Sequence, residues 1–524
     1  MNQNIYKLTW KLVLFIIISI LACRFSNGIM APVFMTVGVA CAFMNLIGWS
    51  LVFFVLMPFF VILNPAFLPK ESLVFAYSMR FGPLLIGLCL AMRGASREGY
   101  HRLPLLSILP FLFIAFISSL QGWAPTVSIL KLVNFIVFLF GIWFGTQNLQ
   151  DRPKDVFLLR AFFLALASFL ILGSLLSIPF PSIAYRTSLG YALREGGEAL
   201  AEETFIKQQA EGMISLFCGV TLHSQALAPL LACTYGWVAC DMLFIERRFR
   251  GLHLILIVLC FPLEYMTRSR VGLVSMVVAT FVVYFYVTRH IKLVLDVKQR
   301  LSNGMLIFLI CLLIGGIVGE MRDNMLTRWI RKTNDVSYDK RSLVNAVTET
   351  RHGLMEYSLW EFKRNPMIGS GFQVAEYTRD ILKSQKGLVV SAPIEKGVLP
   401  VMVLGETGIL GEITFLFFIF SFFFICTRRS YYVTITTFII LLFTNAGEAT
   451  FFSPGGGGGI MWMICVVGGF TIDTFIIYRT KIERSWQDMG IQMAAPMWEE
   501  VEDASGRKRL VESTRRVRRY GMKG

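Results

Sequence analysis

The chain has 524 residues, 55% of them hydrophobic, with a mean hydropathy of +0.62 and a formal net charge of +16. A soluble domain is roughly 45–50% apolar, so the composition excludes an ordinary water-soluble globule and points to an integral membrane protein. The positive charge then implies no nucleic-acid partner, because cationic loops and a basic tail facing an anionic inner leaflet account for it.

A transmembrane helix needs about 20 mostly apolar residues, fewer where flanking side chains snorkel. Candidate spans fall at 8–23, 29–46, 49–64, 72–92, 104–120, 128–147, 157–179, 216–243, 251–266, 270–288, 303–319, 398–426, 431–447 and 458–478. The expected fold is therefore all-α, a polytopic membrane protein with about 12–14 transmembrane helices. At the N-terminus, Lys7 and Lys11 precede the run Leu12–Ala22, which ends in "ILAC" and resembles a lipoprotein cleavage box at Cys23. Further spans follow at once, so an uncleaved first helix is expected. The ten cysteines lie in or beside apolar runs, which suits small packing residues rather than a disulfide framework or a zinc site.

Short loops orient the spans. "RGASREGYHR" (93–102), "QDRPK" (150–154), "ERRFR" (246–250), "RHIKLVLDVKQR" (289–300) and "RR" (428–429) all fall on one face of the fourteen-helix layout. That face is expected to be cytoplasmic, with both termini. The opposite links, such as "QGWAPT" and "SPGGGGG", lack basic residues, and Gly455–Gly459 is expected to form a flexible turn. Two long loops, 181–215 and 320–397, are expected outside. The organisation is then a transmembrane domain, 1–479, carrying both loops, and a basic cytoplasmic tail, 480–524. Within the second loop, Met355, Leu359 and Phe362 recur at helical spacing before Asn365-Pro366, which predicts an amphipathic helix on the membrane face.

The outer face carries the candidate chemistry. "TRSRVG" (267–272) places Arg268 and Arg270 at an outer turn, where inner-leaflet attraction does not explain them. Snorkelling to lipid phosphate is one explanation. The other is a pair of guanidinium forks for a phosphate or diphosphate, helped by the N–H groups of the helix that begins there. Arg186 and Arg194 lie in the first long loop and Arg351 opens the amphipathic helix of the second. Glu395 precedes the helix starting near Val398, Glu406 lies in "LGETGILG", and Glu448 lies in "NAGEATF". An intramembrane carboxylate marks function or a structural hydrogen bond. His223 and His352 are the outer histidines, too far apart in sequence for a metal motif. No D-x-D occurs in either outer loop, and there is no P-loop, dinucleotide fingerprint or nucleophile elbow. No metal or cofactor is expected.

Three stretches in order, "RSRVGL", "TRHGLMEYSLWEFKRNPMIGSGF" and "EKGVLPVMVLGETGILG", resemble signatures of the O-antigen ligase and polysaccharide polymerase family of bacterial inner membranes. "GVTLHSQALAP" matches an upstream junction more loosely, and Arg186 with Gly197 matches a spacing found in some polymerases. The resemblance covers roughly 212–411. It implies a GT-C-like architecture and metal-independent glycosyl transfer from a polyprenyl-diphosphate-linked saccharide, in contact with membrane lipid and other polysaccharide-assembly proteins. Arg270 and Arg351 would be catalytic, with Glu395 as general base. Arg268, Arg186, His223 and Glu406 would bind diphosphate or glycan. Glu395 stands where the ligases carry a histidine, and Lys396 where they carry an asparagine, which favours a polymerase of an exopolysaccharide or O-antigen. A ligase is the near alternative, and a transporter or flippase the alternative of another class.

Overall fold

The computed structural model describes residues 2–69, 72–94, 104–147, 149–185, 217–222, 224–245, 251–267, 269–283, 355–374, 398–447, 449–477, 498–502 and 508–512. It divides into two units, Met1–Asp473 and Thr474–Gly524. The first is helical. Its main helices are α1 (Asn2–Phe25), α2 (Met30–Phe43), α3 (Ile47–Ile62), α4 (Leu73–Gly94), α5 (Leu109–Gln121), α6 (Pro125–Gln147), α7 (Pro153–Ser177), α8 (Ser224–Ile245), α9 (Gly251–Thr267) and α10 (Arg270–Val282). They continue with α11 (355–364), α12 (Leu399–Arg428), α13 (Tyr432–Asn445) and α14 (Gly457–Ile477), which runs past the end of this unit.

Among the described residues, seven helices are long and apolar enough to cross a membrane, and five shorter ones are apolar. The first unit is thus all-α, with the helices of a multi-pass membrane protein. Thirteen of the fourteen predicted spans coincide with helices, and 303–319 lies outside the described residues. The span predicted to start at 216 begins at Ser224 instead. Residues 217–222 are irregular because they pair with the end of α3. Leu63 and Thr221 form an antiparallel bridge, Asn64 N donates to Val220 O at 2.8 Å, and Leu222 N to Ile62 O at 2.8 Å.

Helix α3 is buried almost all round, as an evenly apolar helix should be when it is central. Its Pro58 is tolerated inside that packed environment. Small residues allow close approach elsewhere: a Cβ on Gly141 in α6 would stand 2.7 Å from the Gly87 Cα in α4. Helix α14 contains a π-helical stretch, Met463–Gly468. Thr437 of α13 donates its hydroxyl to the Cys465 carbonyl within it, meeting an acceptor that the widened turn would otherwise strand.

The alternating helices give the bundle two ends, and the contacts between connections agree with this. At one end, Arg152 donates to the backbone carbonyl of Asn45 at 2.6 Å and Arg93 donates to the Phe43 carbonyl. Arg24, in the last turn of α1, lies instead at the opposite end, where it donates to the Leu68 carbonyl. At the other end, the α3 terminus meets 217–222 and 180–185, Gly122 meets Gly371, and Gly447 meets Val271.

One expectation needs correction. Gly455–Gly459 is not simply a flexible turn: Gly457 opens α14, and Gly458 and Gly459 are buried with their Cβ positions blocked by the carbonyls of Thr450 and Pro454. The second unit contains a short hairpin, an element the sequence did not predict. Trp498–Glu502 and Lys508–Glu512 form an antiparallel hairpin in which Glu502 stands opposite Lys508 and Val501 opposite Arg509.

Candidate functional site

Among the described residues, irregular backbone and buried polar side chains come together where residues 365–374 enter the bundle. Sequence alone suggested a surface loop; its end is instead internal. Gly371, Phe372 and Val374 are buried, and Phe372 packs in an aromatic group, 5.3 Å from Phe452 and 6.3 Å from Phe111 between ring centres. Extended backbone at membrane depth is tolerated only where protein satisfies its polar groups, and every neighbouring element contributes.

Helix α12 supplies the first partner through a break. Gly408 has φ +68 and ψ −169, so the helical ladder is interrupted there. The freed groups pair with the loop: Ser370 N donates to Gly405 O at 3.1 Å and Gly371 N to Glu406 O at 3.0 Å, while Ile409 N donates to Pro366 O at 2.9 Å. Two backbones this close leave no room for side chains. A Cβ on Gly369 would collide with the backbone of Glu406 and Thr407, and one on Gly408 with that of Met367 and Ile368. Gly369 of "NPMIGSGF" and Gly408 of "GETGILG" therefore share one purpose, a backbone-to-backbone clasp.

Polar side chains of the surrounding helices complete it. Ser118 in α5 donates to Glu406 O at 2.6 Å, and Ser128 in α6 to Phe372 O at 2.6 Å. Lys131, only 2% exposed, donates to Gln373 O at 2.8 Å. The Glu406 carboxylate, 3% exposed, accepts Gln373 N–H at 2.8 Å. The Gln373 side chain reaches the Phe452 carbonyl in the α13–α14 connection.

That connection links the clasp to "TRSRVG". Gly447 packs against the Val271 side chain. Ser269 caps α10, its hydroxyl accepting Gly272 N–H at 3.2 Å. Gly272 in turn lies against Glu264 of α9, which is fully buried, and among the described residues neither carboxyl oxygen of Glu264 has a hydrogen-bond partner.

Of the residues singled out from sequence, Glu406 is the one described completely, and it holds the inserted loop. Arg270 starts α10, though only its backbone is described. Arg186, Arg194, His223, Arg268, Arg351, His352, Glu395 and Glu448 lie outside the described residues. Sequence reasoning passed over Ser118, Ser128, Lys131, Glu264 and Gln373. Lys131 and Glu264 were detectable in principle, since each interrupts an apolar run.

A second buried network lies near the opposite end. Arg160 of α7 donates twice to Asp241 of α8, at 2.7 and 3.3 Å. Asp241 also meets His253 Nε2 of α9 at 2.9 Å, and His253 Nδ1 lies 3.3 Å from the Tyr6 hydroxyl of α1. Each ring nitrogen of His253 has a partner, and Arg160, Asp241 and His253 are all buried. These bonds tie four helices together.

No family model matches the sequence, and no curated protein matches it at a significant level.

Proposed function

We propose that the protein polymerises polyprenyl-diphosphate-linked saccharide repeats by glycosyl transfer on the outer face of a bacterial inner membrane, with its termini cytoplasmic and a GT-C-like architecture. The observation that carries the reading is the convergence just described. "SRVG", "NPMIGSGF" and "GETGILG" are far apart in sequence yet are joined through the α13–α14 connection at one end of the bundle. Gln373 of the clasp reaches Phe452 in that connection, and Gly447 of the same connection packs on Val271, next to Arg270 at the start of α10.

In this reading Arg268, Arg270 and Arg351 neutralise the departing diphosphate, charge stabilisation of the kind that often dominates catalysis. An acceptor hydroxyl attacks the anomeric carbon, the bond to the diphosphate oxygen breaks, and the hydroxyl proton passes to a carboxylate, for which Glu395 is the candidate. Arg186 and His223 would contact glycan or diphosphate. Glu406 acts through the loop it holds.

Depletion in the host, followed by separation of lipid-linked saccharides and surface glycan, tests the proposal. Single repeats should accumulate outside. Full-length chains left on the carrier lipid would indicate a ligase, repeats trapped inside a flippase, and unchanged pools would sink all three. Arg270→Ala and Arg351→Ala should abolish activity without loss of insertion. Normal turnover by Glu395→Gln would remove that residue from the mechanism.

A further inference from the structure

Helix α11 and the turn after it have two unlike sides. The inner side belongs to the clasp: Glu361 is buried, and a Cβ on Gly405 of α12 would stand 2.7 Å from the Ser358 carbonyl oxygen. The outer side exposes Leu359, Trp360 at 44% and Met367 at 55%. Lys363 is exposed beside them, and the Arg364 guanidinium sits 4.6 Å from the centre of the Trp360 ring. Glu356 is the exposed carboxylate of this helix, so the outer side of α11 carries two cations against one anion.

This surface runs into an apolar one. Leu410 N donates to Met367 O, and beyond it α12 exposes Ile409, Leu410 and Ile413, the start of a row continuing to Phe420 and Phe424. A long apolar helix exposing such a row meets hydrocarbon. Helix α11 therefore lies at the level where hydrocarbon gives way to headgroups, the layer that tryptophan and basic side chains favour.

We propose that the outer side of α11 is a recognition surface for anionic phospholipid, with Leu359, Trp360 and Met367 in the headgroup layer and the Lys363–Arg364 pair neutralising lipid phosphate. Cation–π contact with Trp360 fixes one of the two charges in place. Because the reverse side of the same helix packs on Gly405, lipid engagement supports the inserted loop. The inference does not depend on the reaction proposed above, and its test reads lipid rather than glycan.

The full chain is reconstituted in phosphatidylcholine nanodiscs with and without phosphatidylglycerol. A spin label at Leu359→Cys reports depth through oxygen and nickel-chelate accessibility; eight of the nine described native cysteines are buried and Cys41 is half-buried, and unsubstituted protein gives the labelling background. The label should lie in the headgroup layer. Phosphatidylglycerol retained by the purified protein, measured by native mass spectrometry, should fall about fivefold for each charge removed in Lys363→Gln and Lys363→Gln/Arg364→Gln. Lys363→Arg should retain it, which separates charge from misfolding. A label in bulk water, retention unchanged by the glutamine variants, or equal loss in Lys363→Arg would each overturn the proposal.

Discussion

Gln373 has both its backbone groups held by charged side chains of the surrounding helices: its N–H by the Glu406 carboxylate and its carbonyl by the Lys131 ammonium, each at 2.8 Å. A chain entering a membrane bundle without helical bonding needs such partners at each step. Removing one strands the other. Glu406→Ala is expected to lower stability by about 1–3 kcal/mol, the cost of an unsatisfied buried donor. Glu406→Gln keeps an acceptor oxygen and should lose less. Thermal unfolding of the two variants in the same detergent checks the order. An alanine variant as stable as the glutamine one would show that the carboxylate does not hold the loop.

The glycines divide into those that carry the clasp and those that do not. Gly369 and Gly408 combine positive φ with a blocked Cβ position, whereas Gly456 and Gly457 have nothing within 4 Å. Gly369→Ala and Gly408→Ala should release the 365–374 segment, seen as faster proteolysis there and loss of activity. Gly457→Ala should behave as wild type, or slightly better, since alanine favours a helix start over glycine. Equal effects at all positions would contradict the clasp.

The spans were legible because hydrocarbon imposes a length and a composition that a sequence displays directly. The clasp was half legible. Its glycine motifs stood out, but nothing local to "GETG" announces that a loop some thirty-five residues earlier will supply the bonds missing at Gly408. Ser118, Ser128 and Lys131 were passed over for the same reason, since each looks like an isolated polar residue in an apolar run until Phe372 and Gln373 are placed beside it. Gly455–Gly459 misled in the opposite direction. A run of glycine suggests freedom, while Gly458 and Gly459 are there because carbonyl oxygens occupy the space of a side chain.

Gly272 and Glu264 form a tight pair of another kind. A Cβ on Gly272 would collide with the Glu264 carboxyl, so Gly272→Ala must displace α10 or the carboxyl. Glu264→Ala removes the obstacle. The double variant should therefore recover much of the loss caused by Gly272→Ala alone, with a coupling energy of about 0.5–3 kcal/mol. A double-mutant cycle on thermal stability measures it, and simple additivity would show that the two residues do not share the space.

The Arg160–Asp241–His253 network predicts an asymmetry between breaking and replacing. Asp241 accepts from Arg160 at 2.7 Å and meets His253 at 2.9 Å, all three being buried. Asp241→Leu leaves a guanidinium without its anion inside the bundle, and the expected loss is about 3–5 kcal/mol. Arg160→Met with Asp241→Leu removes both charges and fills similar volume, so it should be markedly less damaging than Asp241→Leu alone. Tyr6→Phe removes the hydroxyl that meets His253 and should cost about 0.5–1.5 kcal/mol. Unfolding of the four proteins in one detergent should rank them wild type, Tyr6→Phe, the double variant, then Asp241→Leu. If the double variant were no better than Asp241→Leu, the loss would come from packing of α7 against α8 rather than from an unpaired charge.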